Sequence, residues 1–160
     1  MGYYVHIEDS NCMLPEKHFN LAYWRMCDLN KHDELKRGGS YSKNEDGTEN
    51  VTKWFSWMEA NYPEICTTAQ EIIEELGFEV EEVEDTGLTI YGYDNKSGQE
   101  ELFLGAISDL LRTVDGMHDS GNRPFIVWRG EDDHVWKDIY GEKEVRTLIG
   151  TISFQENAIG

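Results

Sequence analysis

Apolar and polar residues alternate at the start of the chain and then change to helical spacing. Residues 3–8, YYVHIE, predict a strand with one buried face, because successive side chains of a strand point to opposite sides. Pro15 suits the first turn of a helix, and apolar residues recur at helical spacing from Phe19, so a helix is expected to run to about His32. The polar segment 33–50 has almost no apolar anchor and predicts an exposed, mobile loop.

Two further helices are predicted in the middle of the chain. Residues 52–58 are rich in aromatic side chains and predict a short helix, which must end or turn at Pro63. Pro63 can itself begin the next helix, whose apolar spacing continues to Leu76. Gly77 is well placed to stop that helix in the left-handed conformation.

The segment after this helix alternates again and predicts a strand. Phe78, Val80 and Val83 are expected to point inward. Glu79 and Glu81 then occupy the other face. The carboxylates of this strand are therefore expected on the surface.

The second half of the chain completes an α+β pattern. Residues 88–95 predict a strand, and Ser97 and Glu100 have the S-x-x-E spacing of a capping box that opens a helix. Apolar residues at helical spacing predict that this helix extends to Val114. Residues 124–154 predict three strands joined by two turns. This order of elements favours a single α+β domain over 1–160, in which a mainly antiparallel sheet packs with three to four helices.

Charge is concentrated in the middle of the chain. The net charge is −18, and residues 51–111 carry fourteen acids against two bases, whereas 1–50 and 112–160 each carry nine acids and six bases. Such a surface repels phosphates and anionic membranes, so we expect neither direct nucleic-acid binding nor membrane binding. No apolar run is long enough for a membrane span and no secretory signal is visible, so a cytoplasmic protein is expected.

The densest acidic segment is EIIEELGFEVEEVED, residues 71–85, with eight carboxylates and no Lys or Arg. Like charges one helical turn apart cost about 0.2–0.5 kcal/mol per pair, so a surface that served solubility alone would intersperse Lys. Carboxylates at about 5–6 Å spacing on a helix form a row comparable in pitch to nucleic-acid phosphates. The segment therefore predicts a face that docks in the nucleic-acid groove of a basic protein, and the alternative is an ordinary solvated face. The residues expected to contact the partner are Glu71, Glu74, Glu75, Glu79, Glu81, Glu82, Glu84, Asp85, Glu100 and Glu101.

Aromatic residues near the acidic segment allow two interpretations. Core packing is the simpler expectation, because aromatic pairs contribute a large apolar area to a small domain. Alternatively, Trp57, Tyr62 or Tyr93 is exposed as a binding anchor beside the acidic face, since Trp and Tyr are enriched in interface hot spots.

Little in the sequence indicates catalysis or a cofactor. The three cysteines are widely spaced, with no His at metal-ligand spacing, so neither a disulfide framework nor a metal site is predicted. The common phosphate-binding and nucleophile motifs are absent, and no cofactor is expected. The alternative is a small enzyme or nucleotide-binding protein whose site is assembled from His118, Arg123, Arg129 and His134.

Three segments carry a resemblance that bears on function. MGYYVHIED, KWFSWMEANYP and GTISF resemble small acidic proteins encoded by bacteriophages and other mobile elements. The resemblance extends over most of the chain as a general pattern and brings no catalytic motif with it. Such proteins include anti-CRISPR and anti-restriction inhibitors, so the resemblance implies an anti-defence protein in the cytoplasm of a bacterial host cell.

The leading prediction is a non-enzymatic inhibitor that mimics nucleic acid. Its expected partner is a basic nucleic-acid-binding protein, such as a nuclease, a CRISPR effector or a restriction enzyme. An immunity protein that neutralises a basic toxin would have the same electrostatics. A convex acidic ridge favours these two classes, whereas a cleft lined by the four alternative residues favours an enzyme.

Overall fold

The fold contains eleven strands and four α-helices within residues 2–56, 58–114 and 123–150, the part of the chain that the computed structural model describes. The strands are β1 (Tyr4–Ser10), β2 (Cys12–Pro15), β3 (Gly38–Lys43), β4 (Glu49–Trp54), β5 (Glu79–Val83), β6 (Gly87–Gly92), β7 (Asp94–Lys96), β8 (Arg112–Thr113), β9 (Phe125–Gly130), β10 (Val135–Ile139) and β11 (Arg146–Ile149). The helices are α1 (Phe19–Asp28), α2 (Tyr62–Ile65), α3 (Ala69–Glu75) and α4 (Glu100–Ala106). The α+β class is as the sequence predicts.

The strands form antiparallel sheets that share a corner near the start of the chain. One sheet has the order β11-β10-β9-β1-β7, and a second has the order β5-β6-β2-β8. The chain passes from the first to the second between Ser10 and Cys12. Ser10 stabilises this corner, because its Oγ donates to the Ile90 carbonyl at 2.7 Å and accepts from the Cys12 amide at 3.2 Å.

One hydrophobic core lies between the sheets and the helices. Phe55, Tyr62 and Phe103 pack as one aromatic group, with ring centroids 5.0–6.2 Å apart. Tyr93 packs with other core rings at 5.0–5.6 Å. Tyr62 and Tyr93 are therefore core residues and not exposed anchors, while Trp57 lies outside the described residues.

The segments predicted as a loop at 33–50 and as a helix at 52–58 need correction. β3 and β4 form an antiparallel hairpin in which Tyr41 is paired with Val51. Both faces of this hairpin are exposed, so its sequence has no alternation of apolar and polar residues. The aromatic segment 52–58 begins as the end of β4, because pairing with Gly38 holds Trp54 extended.

The helix predicted from Pro63 to Leu76 is divided into α2 and α3. Thr68 has an extended backbone and acts as the N-cap of α3, which separates the two helices. Gly77 ends α3 at φ +110°, as predicted. A further helix was predicted through Val114, but α4 ends at Ala106 and the Val114 side chain is exposed.

Candidate partner-binding surface

Glu71 takes part in the capping of α3. The Oγ1 atom of Thr68 accepts a hydrogen bond from the Glu71 amide at 3.1 Å. The Glu71 carboxylate in turn accepts from the amide and the hydroxyl of Thr67, at 3.2 and 3.0 Å. The T-x-x-E spacing of residues 68–71 is a capping-box signal that the sequence analysis missed. Glu71 therefore stabilises the start of the helix as well as lying on its exposed side.

Glu74 and Glu75 lie on the solvent side of α3, because Ile72 and Ile73 occupy its buried side. Within the described part of the chain, no Lys or Arg is within salt-bridge distance of either carboxylate. These two glutamates are exposed, as predicted, and their charges are not neutralised by a neighbouring cation.

The α3 carboxylates border a shallow cavity of about 330 Å³ that also contains apolar surface. Ile65 of α2 lines it and has 52% of its surface exposed. Cys66 lines it too, and burial, followed by the charges of Glu75 and Glu71, raises the pKa of the Cys66 thiol to about 11. The glutamates therefore produce a negative potential that reaches into this cavity.

The glutamates of β5 are divided between the two faces of the sheet. Val80 is opposite Ile90 and Glu82 is opposite Leu88, so these β5 residues share a face, while Glu81 points to the other one. Glu82 lines a second cavity, of about 250 Å³, together with Phe19, Tyr23 and residues 67–70. The acids of α3 and β5 consequently do not form one straight row.

The pairing of β5 with β6 shifts register between Glu79 and Val80, where Tyr91 of β6 is the unpaired residue. Val83 was expected to point inward, but it is 42% exposed, because it lies three residues after Val80 and so shares the face of Glu81. β5 is also the outer strand of its sheet, where charged side chains prevent pairing with another chain. Part of the acidity of β5 therefore has a structural explanation.

Glu84 and Asp85 form the exposed turn between β5 and β6. Asp85 has a φ of 60°, a conformation that Asp tolerates better than most residues. The turn is closed by a hydrogen bond of 3.0 Å from the Thr86 amide to the Val83 carbonyl. We refer to the exposed acids of this region as the acidic surface: Glu71, Glu74, Glu75, Glu79, Glu81, Glu82, Glu84 and Asp85.

Glu100 and Glu101 do not belong to the acidic surface. Glu100 has only 3% of its surface exposed, because its carboxylate accepts from the Ser97 hydroxyl at 2.9 Å and from the Gly98 amide at 2.7 Å. The expected role of Glu100 in partner contact is therefore wrong, and the predicted S-x-x-E pair instead organises the start of α4. Glu101 is exposed in a separate groove beside Arg37, near the base of the β3–β4 hairpin.

Among the residues of the enzymatic alternative, Arg129 and His134 lie at the turn between β9 and β10, whereas Arg123 precedes β9 at its opposite end. Each arginine forms an ion pair, Arg123 with Glu142 at 2.9 Å and Arg129 with Glu8. His134 contacts Asp132 at 2.7 Å in an exposed turn. His118 lies outside the described residues.

Comparisons of the chain with protein-family models, with curated proteins and with solved structures found no match. In residues 2–56, 58–114 and 123–150, no group of three or more His, Cys, Asp and Glu could hold a metal ion. The described helices are also all too short or too polar to cross a membrane.

Proposed function

We propose that the protein is a non-enzymatic inhibitor that binds a basic nucleic-acid-binding protein through its acidic surface. The observation that carries the proposal is the group of exposed carboxylates on α3, which have no cationic neighbour among the described residues and border exposed Ile65. A complementary basic surface would relieve their mutual repulsion, and the apolar contact would add affinity that salt does not screen.

A nucleic-acid groove is the kind of basic surface that fits best. Such a groove is lined by Lys and Arg at the spacing of phosphates, and carboxylates one helical turn apart, as Glu71 and Glu75 are, lie about 5–6 Å from each other. The charges would steer the two proteins together and would compete with nucleic acid for the same groove. A nuclease, a CRISPR effector or a restriction enzyme in the cytoplasm of a host cell is the proposed target.

The test measures partner binding by a variant in which Glu74, Glu75, Glu81 and Glu82 are replaced by Gln. We refer to it as the four-Gln variant. Glu71 is left unchanged because it caps α3. We expect the variant to fold and to bind its partner more than about tenfold more weakly at low salt, since buried or close charge pairs contribute one to several kcal/mol to association. Host-cell lysate is passed over the immobilised wild type and variant at low and high salt, and retained proteins are eluted with duplex DNA and identified.

The matched control, which we call the dispersed control, removes the same number of negative charges elsewhere on the surface. It combines Asp9→Asn, Glu45→Gln, Asp94→Asn and Glu144→Gln, all at exposed positions away from α3 and β5. The proposal requires that wild type and control retain a nucleic-acid-binding protein that DNA displaces, and that this protein lose its nuclease or DNA-binding activity in their presence. If the four-Gln variant retained this protein equally well, the acidic surface would be an ordinary solvated surface.

A further inference from the structure

An apolar groove lies between the end of α1 and the start of α2. It has a volume of about 340 Å³, and Trp24, Cys27, Asn30 and Pro63 line it together with the ion pair of Asp28 and Lys31. Trp24 has 62% of its surface exposed, although Trp is among the residues most costly to leave in water. We refer to this feature as the α1–α2 groove.

The walls of the α1–α2 groove are held in place by hydrogen bonds between its two sides. The Tyr23 hydroxyl of α1 donates to the Cys66 carbonyl at 2.6 Å and also lies 3.1 Å from the Pro63 carbonyl. The Asn30 Nδ2 atom donates to the Ala60 carbonyl at 3.0 Å. A groove that is already formed needs little ordering when a ligand enters, which favours affinity.

The groove and the acidic cavity are neighbours because residues only two positions apart in α2 line them. Pro63 lines the groove, while Ile65, two residues later in α2, lines the cavity bordered by the α3 carboxylates. A single segment of a partner can therefore reach both. Among the described residues that line the groove, the charged ones are Asp28 and Lys31, which pair with each other at 3.2 Å, so the net charge facing such a segment comes from α3.

We propose that the α1–α2 groove receives an apolar side chain from a basic segment of the partner protein. The Lys and Arg residues of that segment contact Glu74 and Glu75 across α2, while its apolar side chain packs between Trp24 and Pro63. This assignment rests on the proposed function, and it adds that the partner is recognised by a Lys- or Arg-rich, amphipathic segment and not by charge alone.

The test uses synthetic peptides as defined probes. One peptide is rich in Lys and carries two leucines one helical turn apart, and the second has alanines in place of the leucines. Titration calorimetry with the full chain is expected to show about tenfold tighter binding of the leucine peptide, because a leucine buries several more methyl and methylene groups than an alanine. In ¹⁵N NMR spectra, the amides of residues 20–31 and 60–66 should shift with the leucine peptide only.

Two variants separate the groove from the acidic surface. Trp24→Ala, at an exposed position that leaves the core intact, should remove the advantage of the leucine peptide, whereas Tyr41→Ala, an exposed aromatic of the β3–β4 hairpin, should keep it. Equal affinity for both peptides, or no effect of Trp24→Ala, would overturn the groove assignment while the acidic surface still bound Lys. Unchanged binding of both peptides by the four-Gln variant would instead overturn the proposed function.

The groove could alternatively be covered by a second copy of this chain. Sedimentation velocity of the wild type and of Trp24→Ala distinguishes that occupant, and we expect both to sediment as the same species. A wild-type dimer that Trp24→Ala dissociates would overturn the assignment, as would the absence of binding of either peptide up to millimolar concentration.

Discussion

Asp138 of β10 is a carboxylate placed inside the fold, with 4% of its surface exposed. Burial raises the pKa of Asp138 above its usual range, and the charge of Glu100 acts in the same direction. The Thr147 hydroxyl, which donates to its Oδ1 atom at 2.7 Å, opposes this effect by stabilising the charged form. The native state therefore holds a proton on Asp138 more tightly than the unfolded chain does.

Asp138→Asn is expected to become more stable relative to the wild type as the pH rises. Because the folded pKa is raised, the stability associated with this group is fully present below the unfolded pKa, near 3.9, and is lost as the pH rises through the folded pKa. Asn carries no charge and has no such loss, so the difference between variant and wild type should grow from about pH 4 toward neutrality. Urea unfolding at a series of pH values measures this difference.

The exposed carboxylate Asp9 of β1 provides the control for this prediction. Asp9→Asn should show a much smaller change with pH than Asp138→Asn, measured in the same buffers. A difference between Asp138→Asn and wild type that stays constant or shrinks with rising pH would mean that the buried carboxylate is adequately compensated by Thr147.

At the scale of elements, Gln99 joins the β3–β4 hairpin to the start of α4. Its Oε1 atom accepts from the amides of Arg37 and Ser56, at 3.0 and 3.4 Å, and its Nε2 atom donates to the Leu35 carbonyl. Arg37 and Ser56 flank the two ends of the hairpin. A two-stranded hairpin is marginally stable alone, so this buried side chain supplies an attachment that its own pairing does not.

Gln99→Ala is expected to lower the free energy of unfolding by about 1–3 kcal/mol, because it leaves partly buried backbone groups without their partner. The amides of β3 and β4 should exchange with deuterium faster than in the wild type. Hydrogen exchange with mass spectrometry resolves the hairpin from the rest of the molecule. Gln70→Ala, on half-buried Gln70 of α3, is the control, and similar hairpin exchange in both variants would contradict an anchoring role for Gln99.

Elements with one buried face were predictable from the sequence, whereas elements exposed on both faces or buried throughout were not. β1 and β9 alternate because one face of each meets the core, and α3 is recognisable because Ile72 and Ile73 are buried. The β3–β4 hairpin has no buried face and therefore leaves no periodic signal. β2 was missed because its four residues are all buried and end at Pro15, which also suits a helix start.

The part of the candidate site that lies on one helix was predictable from the sequence. The parts that depend on contacts between different elements were not. Glu74 and Glu75 follow from the buried stripe of α3 alone. The cavity that Glu82 lines is formed together with Phe19 and Tyr23, which are distant in sequence, and the burial of Glu100 depends on Ser97 and Gly98. The groove at Trp24 exists because α1 and α2 meet, and no pattern within either segment indicates it.

At the scale of the whole molecule, the position of the charges matters more than their number. The net charge is −18, but many of the described carboxylates outside the acidic surface have cationic partners, such as Asp109 with Arg25 and Glu142 with Arg123. The Arg25 guanidinium holds the pKa of Asp109 below its usual range. Self-repulsion of the folded state should therefore be concentrated at α3 and β5, where such pairs are lacking within the described residues.

The stability of the protein is expected to rise with salt, and the acidic surface should account for most of that rise. The four-Gln variant and the dispersed control both reduce the net charge to −14.

At low salt the Debye length is about 30 Å, so removal of clustered charges should stabilise the fold more than removal of dispersed ones, by a few tenths of a kcal/mol for each like-charged pair removed. Near physiological ionic strength the Debye length falls to about 8 Å, and the free energies of unfolding of the two variants should converge. Urea unfolding of both variants at low and moderate salt gives the comparison. If the variants were equally stable at low salt, the repulsion would be spread over the whole surface, and a basic partner would have no electrostatic reason to select α3 and β5.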